Sequence, residues 1–312
     1  MPDFTDKLFI INKEKGPTSF DVVEAFRKAT RERKVGHTGT LDPLAEGVLL
    51  LCTGKATRAV EHFMNLPKTY EFEICLGIET STLDTEGDVI RSAPVPDLDD
   101  DAIREAAEGF VGDYEMEPPI YSAIKQGGRR LYEMARAGEA PRIPSRTVKI
   151  YELEVLKIAP PLIGFRVRCS RGTYVRSLAR DFGRLLGTPA HLAGLVRTAI
   201  GPFGLDRAFP SRRISEGDIS ELRATSLAEA LQFLPGVVLK EQSGRALLNG
   251  TCPCQNDIVE TIGCVDGASA LRMIDTSGRL LAIGHRETED ERRRFTIVDS
   301  YRLLVSSGGL HS

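Results

Sequence analysis

The chain has no long apolar run, no cysteine framework and no complete cofactor fingerprint, and each gap closes off a class of function. Its 312 residues contain no uninterrupted apolar stretch of about eighteen residues, so no transmembrane helix is expected. The opening residues Met1-Pro2-Asp3-Phe4-Thr5-Asp6-Lys7 lack the apolar core of a signal peptide, which makes the cytoplasm the expected compartment. Six cysteines, Cys52, Cys75, Cys169, Cys252, Cys254 and Cys264, are scattered without disulfide-like spacing, as suits a reducing environment. Cys252-Pro253-Cys254 with Cys264 and His285 could in principle supply four zinc ligands. The paired knuckles of structural zinc sites are missing, however, so these are read as ordinary thiols and no metal is expected. Gly54-Lys55-Ala56-Thr57 hints at a phosphate loop, but Leu49 stands where such a loop needs glycine and the hydroxyl does not directly follow the lysine. With no dinucleotide fingerprint either, no cofactor is expected.

What is present is a globular composition, 41% hydrophobic, long enough for one large domain and a small one. The net charge of −3 argues at first against a nucleic-acid partner, because Lys and Arg supply most phosphate affinity. The distribution reverses that argument. Residues 121–180 hold 13 Lys or Arg against 4 Glu, whereas residues 79–117 hold 13 acids against Arg91 and Arg104. The chain is therefore polarised, with a basic middle fit for a phosphate backbone and an acidic flank that should face away from it. A solvated arginine face without a partner is the competing reading.

Strand and helix signals alternate without a regular βαβ rhythm, which favours an α+β fold with a mixed, largely antiparallel sheet flanked by helices. Leu8-Phe9-Ile10-Ile11 reads as a strand, and Thr18 or Ser19 can cap a helix with Val22, Val23 and Phe26 on one face. From Tyr70 to Leu76 the pattern alternates, with Tyr70, Phe72, Ile74 and Leu76 on one side and Glu71 and Glu73 on the other, as in a half-buried strand. Asp99-Asp100-Asp101 should open a helix running to Phe110. A further helix is expected around Leu131, Met134 and Ala135, ending near Gly138. Strands follow at about 147–158 and 165–169. A helix from Val175 should then turn Leu178, Phe182, Leu185 and Leu186 inward, with Gly187 as its C-terminal stop. After Pro235 the runs Gly236–Leu239, Ser269–Ile274 and Arg279–Gly284 have the texture of a small all-β module.

The most informative stretch runs from Gly36 to Arg58, where Asp42 is a lone carboxylate on a loop dense in small residues. Pro43 disfavours helix at Asp42 and biases it to an extended backbone, so the side chain is displayed rather than wound in. Gly36, Gly39 and Gly47 permit unusual dihedrals or close approach, Thr38 and Thr40 bring hydroxyls, and Val48-Leu49-Leu50-Leu51 would anchor the loop in the core. On an Asp-Pro pair alone, an Asx-turn is the plainer reading.

Gly36-His37-Thr38-Gly39-Thr40-Leu41-Asp42-Pro43 and its continuation resemble the catalytic loop of the bacterial tRNA pseudouridine-55 synthase (TruB) family. Further segments stand in the family's order along the chain: Lys15–Ser19 with Asp21-Val22-Val23 first, then Lys68-Thr69-Tyr70, Pro118–Lys125, and Cys169–Arg176. Gly194-Leu195-Val196-Arg197-Thr198 is the fifth. The resemblance implies the pseudouridine synthase fold over residues 1–230 and, more weakly, a PUA-like RNA-binding barrel over 235–312. It implies isomerisation of the tRNA T-loop uridine at position 55 to pseudouridine, with the T-arm of tRNA as partner and neither a membrane nor a nucleotide cofactor involved; a monomer is expected. By the same resemblance Asp42 is the catalytic nucleophile, Tyr70 stacks on the target base, Tyr174 and Leu195 line the nucleotide pocket, and His37 packs against the displaced nucleotide. Arg176 would pair with Asp42, or alternatively contact a phosphate.

Three rivals remain at this level. A glycoside hydrolase would use Asp42 and Glu46 as paired carboxylates if the segment after Pro43 were helical. The incomplete phosphate loop argues against an NTPase, and a non-catalytic RNA-binding protein would leave Asp42 without a task.

Overall fold

In the computed structural model, which describes residues 3–122, 125–126, 129–130, 134, 143–265, 268–286 and 295–297, the chain opens with strand β1 (Lys7–Lys13) and helix α1 (Ser19–Thr30). Thr18 is the cap of α1. Its hydroxyl accepts from the Asp21 N–H at 3.1 Å while the Asp21 carboxylate accepts from the Thr18 N–H at 2.8 Å, a reciprocal capping box that satisfies two otherwise orphaned donors. The chain continues through β2 (Val35–His37), β3 (Glu46–Thr53), the short helix α2 (Val60–Met64), β4 (Lys68–Leu76), the ribbon β5 (Ile78–Thr80) and β6 (Val89–Ser92), and helix α3 (Asp100–Glu108). Next come β7 (Gly112–Met116), the two-residue pair β8 (Lys125–Gln126) and β9 (Arg129–Arg130), the long hairpin β10 (Arg146–Ala159) and β11 (Leu162–Cys169), helix α4 (Val175–Leu185) and β12 (Ala190–Ile200). Short strands β13 (Phe203–Gly204), β14 (Phe209–Pro210) and β15 (Thr225–Ser226), with helices α5 (Ser211–Ser215) and α6 (Leu227–Ala230), complete this part.

Eleven of these strands form one sheet in the order β14-β1-β3-β12-β4-β11-β10-β7, with β2, β13 and β15 added at β3, β12 and β1, while β5–β6 and β8–β9 pair separately. The β1–β14 and β3–β12 pairs run parallel and the other pairings in this sheet are antiparallel, so the mixed, largely antiparallel α+β architecture is as expected. Strand β3 explains why its sequence is a continuous apolar run rather than an alternation: both faces are covered. Leu49 and Leu51 pack with Phe9, Val22, Val23 and Phe26 under α1, while Val48, Leu50 and Cys52 pack on the opposite face with Leu8, Ile10 and Phe63. Further along the sheet Phe72 and Ile74 of β4 join Phe165, Leu178 and Phe182. There the Phe165 and Phe182 rings meet edge-on at 4.8 Å.

Two sequence expectations are corrected. Leu185 is 60% exposed. It is the last residue of α4, and the turn through Gly187, whose φ is +76°, puts Leu186 against the core instead. The region after Pro235 is not all-β. Its strands β16 (Gly236–Leu239), β17 (Ile258–Ile262), β18 (Leu271–Ile274), β19 (Leu280–Arg286) and β20 (Phe295–Ile297) form a sheet in the order β17-β16-β18-β19-β20, but helix α7 (Glu241–Leu248) packs on it. An Arg245–Glu241 pair one turn apart and the burial of Gly244 and Leu247 supply the helical periodicity that turn-like Leu247-Leu248-Asn249-Gly250 concealed. Val237, Leu239, Met273 and Leu281 share a single apolar cluster with Leu8, Val48 and Phe63, so hydrophobic packing is continuous across residues 230–235. The helix expected around Leu131 lies, but for Met134, outside the described residues.

Candidate active site

The loop from Thr38 to Ala45 leaves β2 and enters β3, and the N-terminal segment clamps it from both ends. Ser19 receives a hydrogen bond from the Leu41 N–H at 2.8 Å and returns one to the Leu41 carbonyl at 3.1 Å. One residue past Asp42, the Pro43 carbonyl accepts from the Gly16 N–H at 2.8 Å and from Lys13 Nζ at 3.4 Å. Lys13 is fully buried, and its ammonium also donates to the Glu14 and Pro17 carbonyls. Burial pulls its pKa down, opposed by the negative charges of Glu46, Asp42 and Glu14. With Leu41 and Pro43 held, the Asp42 side chain between them stays 39% exposed. The Lys15–Ser19 motif is therefore the cradle of this loop.

A buried arginine meets that carboxylate. Arg176, in the first turn of α4, is 7% exposed and places Nη2 3.0 Å from Asp42 Oδ2. The same guanidinium donates to the Thr82 carbonyl at 3.1 Å and the Tyr121 carbonyl at 3.0 Å. Its Nη1 also lies 3.4 Å from a second carboxylate, Asp84, which is 2% exposed. Asp84 is itself fixed by the Thr82 hydroxyl and the Glu86 N–H. Beside it Leu83 adopts a left-handed backbone, φ +63°, uncommon for a bulky residue, and its carbonyl accepts from the Leu192 N–H at 3.0 Å. The turn after β5 is thus tied to β12 and aims Asp84 at Arg176.

Opposite lies a wall of different character. Tyr70 of β4 stands in register with Arg197 of β12, and Arg197 is in register with Gly47 of β3 on its other side. The approach at Gly47 is so close that a Cβ there would come 2.2 Å from the Arg197 carbonyl oxygen, which only glycine tolerates. Arg197 is buried; its Nε donates to the Val48 carbonyl at 2.7 Å and its Nη2 to the Gly39 carbonyl at 3.1 Å. Lys68 is buried too, with its ammonium on the Met64 and Leu66 carbonyls. Burial, with the neighbouring Arg197 charge, lowers its pKa to about 8. Burial raises the pKa of the Tyr70 and Tyr174 hydroxyls.

Between the walls is a cavity of about 290 Å³, near the lower end of ligand pockets, roughly 300–1,000 Å³. Asp42, Tyr70, Tyr174, Arg176 and Leu195 all line it, with Thr38, Ser122, Lys68 and Arg197. His37 is not among its lining residues. It sits at the shoulder of the loop, where Nδ1 accepts from the Gly39 N–H at 3.3 Å, and burial lowers its pKa. Asp84, Lys68 and Arg197 were not singled out from sequence, although Lys68 and Arg197 lie inside quoted motifs. Glu46 opens strand β3 rather than extending a helix from Asp42, and it does not line the cavity. Among the described residues no group of three or more His, Cys, Asp or Glu side chains gathers as a metal site, and no helix is long and apolar enough to cross a membrane.

Residues 27–175 match the model of the TruB family pseudouridylate synthase N-terminal domain. The chain is similar to tRNA pseudouridine synthase B of Caldanaerobacter subterraneus, with 39% identity over 92% of this chain and 97% of that protein. It is similar to tRNA pseudouridine synthase B of Thermotoga maritima as well, with 38% identity over 90% of each chain. Among solved structures, a Cbf5–Nop10–Gar1 complex contains a chain that superposes with a TM-score of 0.74 at 26% identity, covering 94% of this chain and 84% of that one.

Proposed function

This chain belongs to the TruB family of pseudouridylate synthases, and we propose that it converts the T-loop uridine at position 55 of tRNA to pseudouridine, with Asp42 as nucleophile. It is an enzyme of the tRNA pseudouridine synthase B type, an isomerase. The observation that carries the assignment of roles is the Asp42–Arg176 pair at 3.0 Å, an accessible carboxylate on a buried counterion at a cavity that also holds Tyr70.

The reaction needs no external group. Breaking the C1′–N1 bond sends its electron pair to the base, the base rotates, C5 bonds to C1′, and the proton lost from C5 is balanced by one gained at N1. Asp42 engages the sugar or base while the bond is open. Arg176 holds that carboxylate in place, Tyr70 stacks on the base, and Tyr174 and Leu195 close the pocket around it. His37, on the loop shoulder, packs against the nucleotide as it leaves the T-loop stack, which costs a few kcal/mol to open. The T-arm lies along the basic middle of the chain, and residues 235–312 act as a PUA-like RNA-binding unit appended to a catalytic unit of residues 1–230.

The test is single-turnover pseudouridine formation on an unmodified tRNA transcript by Asp42→Asn. The variant should bind tRNA as the parent does and form no detectable product, because asparagine supplies no anionic nucleophile. Substantial product would remove Asp42 from this role, and release of free uracil by the parent would mark a hydrolase instead.

A further inference from the structure

A buried arginine is ordinarily held by a carboxylate, and Arg176 has two within reach. Arg197 is buried more deeply, at 2% exposure, yet among the described residues no carboxylate lies within ion-pair distance of it. Its donors go to neutral partners, the Val48 and Gly39 carbonyls, and its side chain shares a sheet face with Tyr70, its register partner on β4. Taking an unbalanced charge out of water is costly, and an apolar side chain of similar length would fill the space without that penalty. The geometry of its contacts is specific. Gly39 lies within the Asp42 loop and Val48 just beyond it on β3, and Tyr70 lies directly across the β4–β12 ladder. One side chain thereby spans the nucleophile's loop and the stacking residue.

We propose that Arg197 is a positioning residue of this reaction, which locks the Asp42 loop to the Tyr70 strand and sets an uncompensated positive charge beside the departing base. The proposal rests on the roles given above to Asp42 and Tyr70. When the C1′–N1 bond breaks, its electron pair leaves with N1 and the negative charge spreads over the ring and its carbonyl oxygens. The base is neutral before that step and again once C5 has bonded to C1′ and the C5 proton has been exchanged for one on N1. A fixed cation in a buried site therefore favours the cleaved state over the bound substrate, which is the condition for raising rate rather than affinity. The field is felt locally: the Arg197 charge adds to burial in lowering the pKa of His37 and Lys68 and opposes burial at Tyr70.

The experiment compares Arg197→Met with the parent on two transcripts, one carrying uridine at the target and one carrying 5-fluorouridine, whose ring better stabilises an anion at N1. Single-turnover cleavage of the C1′–N1 bond and tRNA binding are measured for each. On uridine the variant should be slower by about 100-fold, with tRNA affinity within about threefold of the parent. On 5-fluorouridine the deficit should shrink by about tenfold or more, because a better leaving group relies less on the cation. Arg197→Lys keeps the charge but not the two-pronged clasp, so it should show a smaller deficit of equal size on both transcripts. Equal deficits for Arg197→Met on both transcripts, or a loss confined to binding, would overturn the charge role. If Arg197→Met does not melt cooperatively, Arg197→Gln takes its place, and a Gln variant as fast as the parent overturns the proposal. Asp42→Asn serves as control: product from it would remove the nucleophile assignment, while the two-substrate comparison on the Arg197 variants stays readable.

Discussion

The two walls of the cavity each carry a buried arginine, and the difference between them is in their company. On one side Arg176 is clasped between Asp42 and Asp84, so two negative charges surround one positive. On the other side the side-chain donors of Arg197 and Lys68 go to backbone carbonyls, and among the described residues no carboxylate pairs with either. The first wall is built to fix the geometry of a carboxylate, since every charge has a partner before substrate arrives. The second is incomplete as an ion network and becomes complete only when a polyanion or a developing anion enters. A wall of paired charges orients and a wall of unpaired cations attracts; a base that turned anionic partway through the proposed reaction would need both.

The largest stability effect should come from breaking the wall of paired charges. Arg176→Met would strand Asp84, 2% exposed, whose remaining side-chain partners among the described residues are the Thr82 hydroxyl and the Glu86 N–H. Removing one partner of a buried pair costs about 3–5 kcal/mol, and chemical denaturation should show a loss of that order together with a collapse in single-turnover rate. Adding Asp84→Asn should return much of the stability and none of the activity, because Asp42 still lacks its counterion. If the double variant is no more stable than Arg176→Met, Asp84 is not the stranded charge and the contrast between the walls fails.

A smaller effect is expected at Tyr70, the proposed stacking residue. Tyr70→Leu removes the ring and should slow single-turnover product formation by the equivalent of ~1–3 kcal/mol of lost stacking. Tyr70→Phe keeps the ring and loses the hydroxyl, so any deficit it shows measures the hydroxyl alone. Matching deficits for Leu and Phe would mean that stacking contributes little and that the hydroxyl carries the role.

Which of these residues can be read from sequence follows from how far apart their determinants lie along the chain. Asp42, its proline and its glycines crowd into a few consecutive residues, and strand β4 announces itself by simple alternation. Both are local, and both stand where expected. Asp84 is one acid in a run of thirteen between residues 79 and 117, and what distinguishes it is a left-handed Leu83 and a contact with β12, neither of which has a local signature. Arg197 is buried because β12 runs between β3 and β4 with Gly47 on one side and Tyr70 on the other, a fact of register over some 150 residues of separation. Leu185 misleads for a related reason, since periodicity marks a face of the helix and does not say where the sheet beneath it ends. Helix α7 was hidden because an isolated two-turn helix depends on packing rather than propensity.

A last test asks whether the unbalanced wall costs the fold stability when it is empty. The pKa of Lys68 is lowered from its ordinary 10.5 to about 8, chiefly by burial. In the interval between those two values the unfolded chain holds a proton that the folded chain has released, so folding stability should rise with pH there. Below pH 8 both states are protonated and the folded protein bears the full cost of a buried ammonium; above 10.5 both are neutral and the cost is gone. Lys68→Met has no such proton. Its lost hydrogen bonds to the Met64 and Leu66 carbonyls shift stability by an amount independent of pH, so the sign of the difference at any one pH decides nothing and the slope decides everything. Denaturation midpoints for parent and variant, measured from pH 7 to 11 where the protein refolds, should be separated by a gap that moves in the parent's favour between about 8 and 10.5 and is constant on either side. Parallel curves would show that the Lys68 ammonium is not penalised in the folded state. The contrast would then rest on Arg197 alone.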